Sequence, residues 1–446
     1  MLREALQLGA LRALSRDGRV LFLTRAIRLS AYGLISVVLV LYLAKLGFSG
    51  PQIGLLLTLT LVGDTIITLG ITTTADRVGR RRMLVVGAAL MFGAGIVFAL
   101  SGNYWVLLLA ATIGVISPSG NEVGPFLSIE QAGLAQRLPA EHRTGAFAWY
   151  NLCGAAATAL GALVGGVTVD ALGYWGWPLV RSYQALLCAY AALGLTLAGL
   201  FVLLSPAVEA SGAARGRGRA ALLGLHRSKG VVAKLSALFA LDAFGGGFVI
   251  QSIVAYWFHV RFGASPGTLG VIFFGANLLA GFSALAAAAL ARRIGLVRTM
   301  VFTHIPSNVL LILVPLMPSL ASAIGVLLLR FSISQMDVPT RQSYTMAMVD
   351  PDERSAAAGI TGIARTTGAA ISPSLAGLLL ATPALVSAPF FLAGGIKIVY
   401  DLLLYRSFRN VCPPAQDAPV CGTVPEKGTQ RAELNVPVTL TGHKPL

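Results

Sequence analysis

The sequence predicts an all-α polytopic membrane protein, whose twelve transmembrane helices form two pseudo-symmetric six-helix bundles. The 446 residues are 56% hydrophobic and 12% charged, against about 25% charged residues in an ordinary soluble domain. The mean hydropathy is +0.76. Long apolar runs recur along nearly the whole chain, and its two halves repeat polar and glycine residues in equivalent loops. These observations exclude a soluble enzyme, a disordered protein and a receptor with one membrane anchor.

The apolar runs divide into twelve spans, because a membrane helix needs roughly 20 apolar residues. Spans one to twelve are predicted in this order: 22–43, 52–74, 83–101, 104–127, 145–168, 178–204, 235–258, 267–290, 299–316, 319–338, 355–380 and 384–405.

The basic residues predict the orientation of these spans. The net charge is +16, and with a cytoplasmic N-terminus the external loops contain only Lys45, Arg181 and Arg261. By the positive-inside rule, both termini are predicted to be cytoplasmic. The cations lie in short loops between spans instead of on one domain, which argues against nucleic acid as a partner.

Polar segments divide the chain into five parts. We expect a cytoplasmic N-terminal segment (1–21), a six-helix bundle (22–204), a basic cytoplasmic linker (205–234), a second bundle (235–406) and a cytoplasmic tail (407–446). The tail is rich in proline, threonine and polar residues, which predicts disorder.

The loops of the two halves align without gaps. The matched pairs are Lys45 with Arg261, Gly47 with Gly263, Ser49 with Ser265, Gly54 with Gly270, and Gly79 with Gly295. A second gapless alignment matches Arg143 with Arg354 and Gly166 with Gly377. A duplicated six-helix unit explains these matches, and many secondary transporters are built from such repeats.

The loop between spans two and three reads ADRVGRRRM, from Ala75 to Met83. This segment resembles the signature of the major facilitator superfamily. The matching residues are Asp76, Arg77, Gly79, Arg80 and Arg81. Together with the repeat and the twelve spans, the resemblance implies the fold of that family, a non-enzymatic transport activity and no cofactor or metal.

The resemblance also implies a gate at the cytoplasmic ends of the helices. Asp76 would lie against the N-terminus of span eleven, whose partial positive charge attracts a carboxylate, and Arg80 would assist this latch. The alternative is that the basic residues only fix topology. Glu130, at the end of span four, is expected to pair with the basic loop around Arg80.

Charged residues inside spans usually face a protein interior or a cavity, because they are costly in lipid. Asp64 in span two and Arg365 in span eleven lie at similar depths, so we expect an ion pair between the halves. The alternative is that each is satisfied within its own half. Lys397 and Asp401 are four residues apart on one helix face, which favours a mutual pair.

Glu122 is the main candidate for carrying a proton. It lies in span four between Pro118 and Pro125, and prolines remove helix hydrogen bonds. A broken helix inside a membrane is tolerated where it borders a cavity. Glu122 is expected to work with Arg330 or Arg341 of span ten, or else to form a permanent salt bridge to one of them. Asp242 in span seven and Asp337 in span ten are further proton candidates.

In the family, spans one, four, seven and ten line the central cavity. Polar residues on these spans are therefore the candidates for contacting substrate: Arg28, Tyr32, Asn121, Gln251, Arg330 and Gln335. Arg330 could receive an anionic group of the substrate, or it could neutralise Asp337 or Glu122.

The resemblance implies a secondary active transporter that moves a small organic solute by alternating access. Span five carries GALVGG, Gly161 to Gly166, which is similar to the antiporter signature of the family and favours proton-coupled efflux of a drug or metabolite. Proton-coupled uptake of an organic anion is the alternative, and a transport-inactive sensor or scaffold is the candidate from a different class. We expect a functional monomer in the lipid bilayer, in a bacterial inner membrane.

Overall fold

The computed structural model is helical and describes residues 14–122, 124–138, 140–209, 225, 227–350 and 353–411. The predicted N-terminal segment, linker and tail lie largely outside these residues. In chain order the α-helices are α1 (Arg16–Lys45), α2 (Gly50–Val78), α3 (Arg80–Leu100), α4 (Tyr104–Ile113), α5 (Phe126–Arg137), α6 (Ala140–Tyr174), α7 (Leu179–Val202), α8 (Lys229–Gly247), α9 (Gln251–Phe262), α10 (Pro266–Ile294), α11 (Leu296–Leu313), α12 (Leu320–Phe331), α13 (Asp337–Ala347), α14 (Arg354–Leu380) and α15 (Ala388–Phe408). Short 3-10 helices cover Pro206–Val208, Val314–Leu316 and Pro383–Leu385.

Each predicted span corresponds to one helix or to a pair of helices. Spans four, seven and ten are each divided in two, with breaks at 114–125, 248–250 and 332–336. Within the described residues, nine helical segments are long and apolar enough to cross a membrane, and α4 and α12 are shorter apolar helices. The break in span four agrees with its prolines and glycines, whereas the sequence predicted spans seven and ten as continuous.

Equivalent serines start the second helix of each half. Ser49 before α2 and Ser265 before α10 have the same backbone angles, φ −70° and ψ 158°. The backbone N–H of Ser49 donates to Gln52 Oε1 at 2.9 Å, and Ser265 Oγ accepts from the backbone N–H of Thr268 at 3.2 Å. Such capping satisfies donors that have no partner within the helix.

Equivalent glycines form the turns beside these helices. Gly47 and Gly263 have φ of 89° and 66°, and Gly79 and Gly295 have φ of 117° and 89°. Side chains other than glycine rarely adopt these positive φ values. The matched residues of the two halves therefore have matched conformations.

Helix α1 lies at the centre of the molecule, packed against α6, α7 and α9. It begins at Arg16, six residues before the predicted span, and its start is held by the Asp17 carboxylate, which accepts from Ser205 Oγ at 2.6 Å. Because the helix extends beyond its apolar run, Arg25 and Arg28 lie well inside it and are buried.

The two halves pack most extensively along two pairs of helices, α6 with α10 and α2 with α14, and α1 also contacts α9. Backbone lies against backbone where these helices cross: Gly166 faces Gly270, and Gly377 faces Gly50 and Gly54. Small residues allow this close approach. The far end of the bundle contains the loops at 46–49, 175–178, 263–265 and 381–387, and the linker end contains residues 203–209 and 225–228.

Candidate functional site

The break in span four places polar groups in the middle of the first half. Gly120 and Gly124 have φ of 70° and 81°, and they interrupt the helix around Glu122. Freed backbone groups have partners from several elements. The N–H of Gly124 donates to Asp64 Oδ1 at 2.5 Å, and the carbonyl of Pro118 accepts from the N–H of Ser252 in the other half at 3.1 Å.

Two arginines of α1 bind two glutamates of span four. Arg28 donates to Glu122 Oε1 at 2.7 Å through Nε, and its Nη atoms donate to both oxygens of Glu130 at 2.8 and 2.7 Å. Arg25 Nη1 donates to Glu122 Oε2 at 2.8 Å. The side chains of Arg28 and Glu130 are fully buried, and the Tyr150 hydroxyl also donates to Glu130. We call these four charged side chains the first charge network.

These contacts correct two sequence predictions. Glu122 pairs with Arg25 and Arg28 of its own half, and neither Arg330 nor Arg341 contacts it among the described ion pairs. Glu130 pairs with Arg28 of α1, where the sequence predicted a pair with the basic loop around Arg80. The physical reason is that Arg25 and Arg28 are three residues apart on one helix face, and this face of α1 is directed at the broken span.

The second half contains a larger network. Asp242 on α8 accepts from Lys397 Nζ at 2.6 Å and from Arg341 Nη1 at 2.9 Å, and Arg341 also contacts Asp337 at 3.2 Å. The Nδ1 atom of His304, on α11, lies 2.9 Å from Asp401 Oδ1, and its Nε2 atom lies 3.8 Å from Asp242 Oδ1. Together with Asn308, which donates to Asp401 at 3.2 Å, these residues form the second charge network.

The predicted mutual pair of Lys397 and Asp401 is therefore wrong. Both residues are on α15, but Lys397 binds Asp242, and Asp401 binds His304 and Asn308. Helix spacing placed the two side chains on one face, and partners from α8 and α11 approach that face more closely.

The two networks have opposite polarity. In the first half, Arg28 on span one binds Glu130 on span four, whereas in the second half, Asp242 on span seven binds Arg341 on span ten. Spans one and four are the repeat equivalents of spans seven and ten. The gapless alignment that matches Arg143 with Arg354 also matches Glu130 with Arg341.

The predicted ion pair between Asp64 and Arg365 is not formed, since each residue lies with its own half. Asp64 Oδ1 accepts from the N–H of Gly124 and from Thr68 Oγ1 at 3.5 Å, and it has no cationic partner within 4 Å among the described residues. Arg365 and Arg330 also lack a carboxylate partner there, and the Nε of each is buried without a hydrogen bond.

The other cavity candidates have different surroundings. Arg28 and Tyr32 are fully buried, so neither is exposed for contact with a substrate in this conformation. Gln251 Nε2 donates to Ser36 Oγ at 2.7 Å, and its Oε1 accepts from Asn277 at 3.1 Å. These bonds join α1, α9 and α10 across the two halves.

Two candidates for contact with substrate lie in the helix breaks. Asn121 is exposed beside Glu122, and Gln335 is half-buried in the break of span ten. The carbonyl of Asn121 accepts from Ser117 Oγ at 2.7 Å, and the N–H of Gln335 donates to Ser283 Oγ at 3.3 Å. Their amide side chains take no part in these bonds.

The basic loop at the linker end is bound within the first half. Glu209 accepts from the backbone N–H groups of Arg80 and Arg81 at 2.7 and 3.3 Å, which caps α3. Arg80 Nη1 donates to Gln136 Oε1 at 3.0 Å. The side chains of Asp76 and Arg77 lie outside the described part of the chain, so their predicted gating contacts stay predictions.

Hydrogen bonds between the halves occur at mid-bundle and at the far end. Asp170, at the end of α6, accepts from Ser265 Oγ at 2.6 Å and from the N–H of Gly267 at 2.9 Å, so it caps α10 of the other half. Ser374 Oγ on α14 donates to Thr58 Oγ1 on α2 at 2.8 Å. These bonds close the far end in the described structure.

Sequence reasoning missed several members of the networks. Arg25, His304, Asn308 and Tyr150 did not stand out, since Arg25 resembles a topological cation and the others are common in buried helices. The spacing of Arg25 and Arg28 is the one signal that could have indicated a paired cationic face inside span one.

A helical membrane protein with two repeated halves and charged residues buried at broken helices has the architecture of a secondary transporter. The Major Facilitator Superfamily model matches residues 21–373. This chain therefore belongs to the Major Facilitator Superfamily and is a secondary transporter, which is a non-enzymatic protein.

Similar proteins support the family assignment. The uncharacterized membrane protein YJR124C of Saccharomyces cerevisiae is 32% identical over 427 residues, which are 89% of this chain and 95% of the yeast protein. The quinolone resistance protein NorA of Staphylococcus aureus is 34% identical over 85 residues, 19% of this chain and 22% of NorA.

Solved structures share the fold. The nucleoside transporter NupG superposes with a TM-score of 0.68 at 14% identity, covering 88% of this chain and 99% of NupG. The D-xylose-proton symporter superposes with a TM-score of 0.70 at 14% identity, covering 87% of this chain and 97% of the symporter. The protein is an integral membrane protein, and the yeast relative gives no support to the predicted bacterial inner membrane.

Proposed function

We propose that this transporter couples the movement of a small organic solute to protons, and that Asp64 binds the coupling proton. One observation carries the proposal. Of Asp64 and the five carboxylates of the two charge networks, Asp64 is the one that contacts no described basic side chain. Glu122, Glu130, Asp242 and Asp337 each contact an arginine or a lysine, and Asp401 contacts His304.

A cation changes what a buried carboxylate can do. Burial alone favours the neutral form of a carboxyl group, whereas a nearby positive charge favours the ionised form. Glu122 lies between two arginines, so it is better suited to anchoring the broken helix than to releasing and binding protons. The same argument applies to Asp242 and Asp337, and it favours Asp64 over all three predicted proton sites.

The hydrogen bond to Gly124 gives Asp64 a means of acting on the structure. It joins α2 to the break in span four, two residues from Glu122, and α2 packs against α14 of the other half. A carboxylate accepts a backbone N–H bond more strongly than a neutral carboxyl does. Protonation of Asp64 would therefore weaken the contact of α2 with the break and favour rearrangement of the two halves.

The orientation follows from the distribution of charge. We assign the linker end, both termini and the linker to the cytoplasm, because the basic residues concentrate there, and the two bundles 22–204 and 235–406 to the moving units of a functional monomer. The structure described, closed at the far end, is then closed to the outside.

Proton-coupled export of the solute is a second candidate function. It is favoured by the segment similar to NorA, a quinolone resistance protein. In that case the solute and the proton would cross the membrane in opposite directions.

The test is Asp64→Asn in proteoliposomes, with a panel of radiolabelled organic solutes and an imposed pH gradient. The wild-type protein should concentrate at least one solute. Asp64→Asn should lose this gradient-driven accumulation and retain exchange of the same solute, because its site is held in the neutral form. Asp350→Asn is the control, since Asp350 is a carboxylate outside the spans. Accumulation by Asp64→Asn with an unchanged pH dependence would show that another residue carries the proton.

A further inference from the structure

Two arginines of the second half have no carboxylate of their own. Arg330 is the second-last residue of α12, and its guanidinium lies over the ring of Phe331, 4.9 Å from the ring centroid. Arg365 lies in the middle of α14. Neither has an ion pair or a hydrogen bond among the described residues, and both have a buried Nε atom without a partner. Both side chains are half-buried, and a cation withdrawn from water without a partner is costly, so an anion bound at these side chains would stabilise them.

The neighbouring carboxylates are already occupied. Asp337 attracts both guanidinium groups electrostatically, but its nearest cation is Arg341, at 3.2 Å, and Arg341 shares itself between Asp337 and Asp242. Helix α13, which carries Asp337, packs against α14. Arg330 and Arg365 thus lie beside the second charge network and add positive charge to it.

The charges of the two networks, taken together with Asp64, Arg330 and Arg365, do not balance within each half. In the second half, with His304 neutral, the cations Arg330, Arg341, Arg365 and Lys397 exceed the carboxylates Asp242, Asp337 and Asp401 by one. In the first half, the carboxylates Asp64, Glu122 and Glu130 exceed the cations Arg25 and Arg28 by one. This set of residues is neutral when Asp64 is ionised and has one excess positive charge when Asp64 is protonated.

We propose that the substrate is an organic monoanion, that Arg330 and Arg365 receive its carboxylate, and that it binds together with the proton on Asp64. The planar guanidinium fork matches carboxylate geometry. The empty ionised carrier and the carrier loaded with anion and proton are then both neutral inside the membrane, which lowers the cost of moving between conformations. The proposal rests on the proposed proton coupling and makes anion and proton move in the same direction.

Equilibrium binding tests the site without a gradient. The purified full-length protein in detergent is titrated with small monocarboxylates, among them benzoate and lactate, and with their uncharged amides, using thermal stabilisation to obtain affinities. At least one carboxylate should stabilise the protein and its amide should not. Arg330→Gln and Arg365→Gln should each weaken carboxylate binding by about tenfold or more, as expected for loss of a charge-assisted hydrogen bond.

Matched variants separate binding from folding. Arg298→Gln removes an exposed arginine of α11 and should bind as the wild type does. Arg330→Lys and Arg365→Lys keep the charge and should fold, but they lose the planar fork and should bind more weakly. Equal binding of amides, unchanged carboxylate affinity in both glutamine variants, or no binding by any carboxylate of the panel would overturn the proposal.

The pH dependence tests the link to Asp64. Carboxylate affinity of the wild type should fall with rising pH, by up to ~10-fold per pH unit for one linked proton, and Asp64→Asn should bind without this dependence. A pH-independent wild-type affinity would overturn the linkage. If carboxylate binding holds while a pH gradient drives no transport, the proposed proton coupling fails and the anion site stands.

Discussion

The glutamates of span four have unequal numbers of partners, which gives them unequal structural importance. Glu130 is fully buried and accepts from both Nη atoms of Arg28, from Thr24 and from Tyr150. Glu122 is partly exposed and binds two arginines, each of which has another partner: Arg28 has Glu130, and Arg25 Nε donates to the carbonyl of Tyr150 at 2.8 Å. Loss of Glu130 therefore leaves more groups unsatisfied.

Glu130→Gln should destabilise the protein more than Glu122→Gln. For Glu130, breaking a buried ion pair by removing one partner costs about 3–5 kcal/mol. For Glu122, the two arginines keep their other partners, so the loss is that of one hydrogen bond to a charged group, which costs about 1.5–3 kcal/mol. Thermal unfolding in detergent measures both, with Asp350→Asn as the control. Equal unfolding temperatures for the two glutamine variants would contradict this ranking.

At the residue scale, the sequence identified the charged residues and failed to pair them. Arg25 lies near the start of the apolar run, where a basic residue resembles a topological cation. Because α1 begins at Arg16, Arg25 is ~14 Å along the helix at 1.5 Å per residue, which is inside the bundle. The pairs depend on how each helix is rotated about its axis, and hydropathy does not determine that rotation when a helix is apolar on all sides.

At the scale of helices, glycine determines how the halves meet. Glycines of α6 lie against neighbouring backbones: Gly161 against the carbonyl of Ser30, and Gly166 against Pro266 and Gly270. The GALVGG run thus packs α6 against α1 and α10. Close packing of small residues therefore explains this run without an antiport function.

Gly377→Ala should open the far end of the bundle. The added Cβ would lie 2.8 Å from the Cα of Gly54, closer than two carbon atoms can pack, and overpacking of this kind costs about 1–3 kcal/mol. Gly362→Ala, on the same helix, has open space around its added Cβ and should leave the structure unchanged.

Spin labels at exposed positions 173 and 382, one at the far end of each half, measure this opening. We expect a longer or broader distance distribution for Gly377→Ala than for the wild type and Gly362→Ala. Identical distributions for all three proteins would show that the Gly377 contact does not hold the far end closed.

The sequence indicated one of the three helix breaks and did not indicate the other two. The prolines of span four indicated its break, but span seven is broken after the glycines Gly245–Gly247 and span ten after Phe331 without a proline at the break. Glycine is frequent in membrane helices, so its presence alone does not predict where a helix ends. Tertiary bonds such as that from Ser252 to Pro118 make the break in span seven favourable.

At the scale of the whole molecule, the number of spans determines where the termini lie. The twelve predicted crossings would return the chain to the side on which it began, and we propose from the basic residues that this side is the cytoplasm. Green fluorescent protein and alkaline phosphatase fused to the C-terminus should report a cytoplasmic location, with fluorescence and no phosphatase activity. An active phosphatase at residue 446 would contradict an even number of crossings with this orientation.

The overall architecture was the most predictable level, because the duplicated loops, the apolar runs and the ADRVGRRRM segment all indicate the same fold. Matched serine caps and positive-φ glycines later appear at the same matched positions. Contacts between halves were less predictable. The expected salt bridge of Asp64 with Arg365 gives way to bonds of serine, threonine and backbone groups, whose partners depend on the relative position of two independent bundles.

The opposite polarity of the two charge networks has a consequence for how this protein could evolve. Every described buried salt bridge joins residues of the same half. Because an uncompensated buried charge is strongly destabilising, a reversal from Arg28–Glu130 to Asp242–Arg341 requires both partners to change together. Both partners descend from one copy of the duplicated unit, so paired substitutions within a single copy suffice. The interior charges of one half can therefore change without a compensating change in the other half.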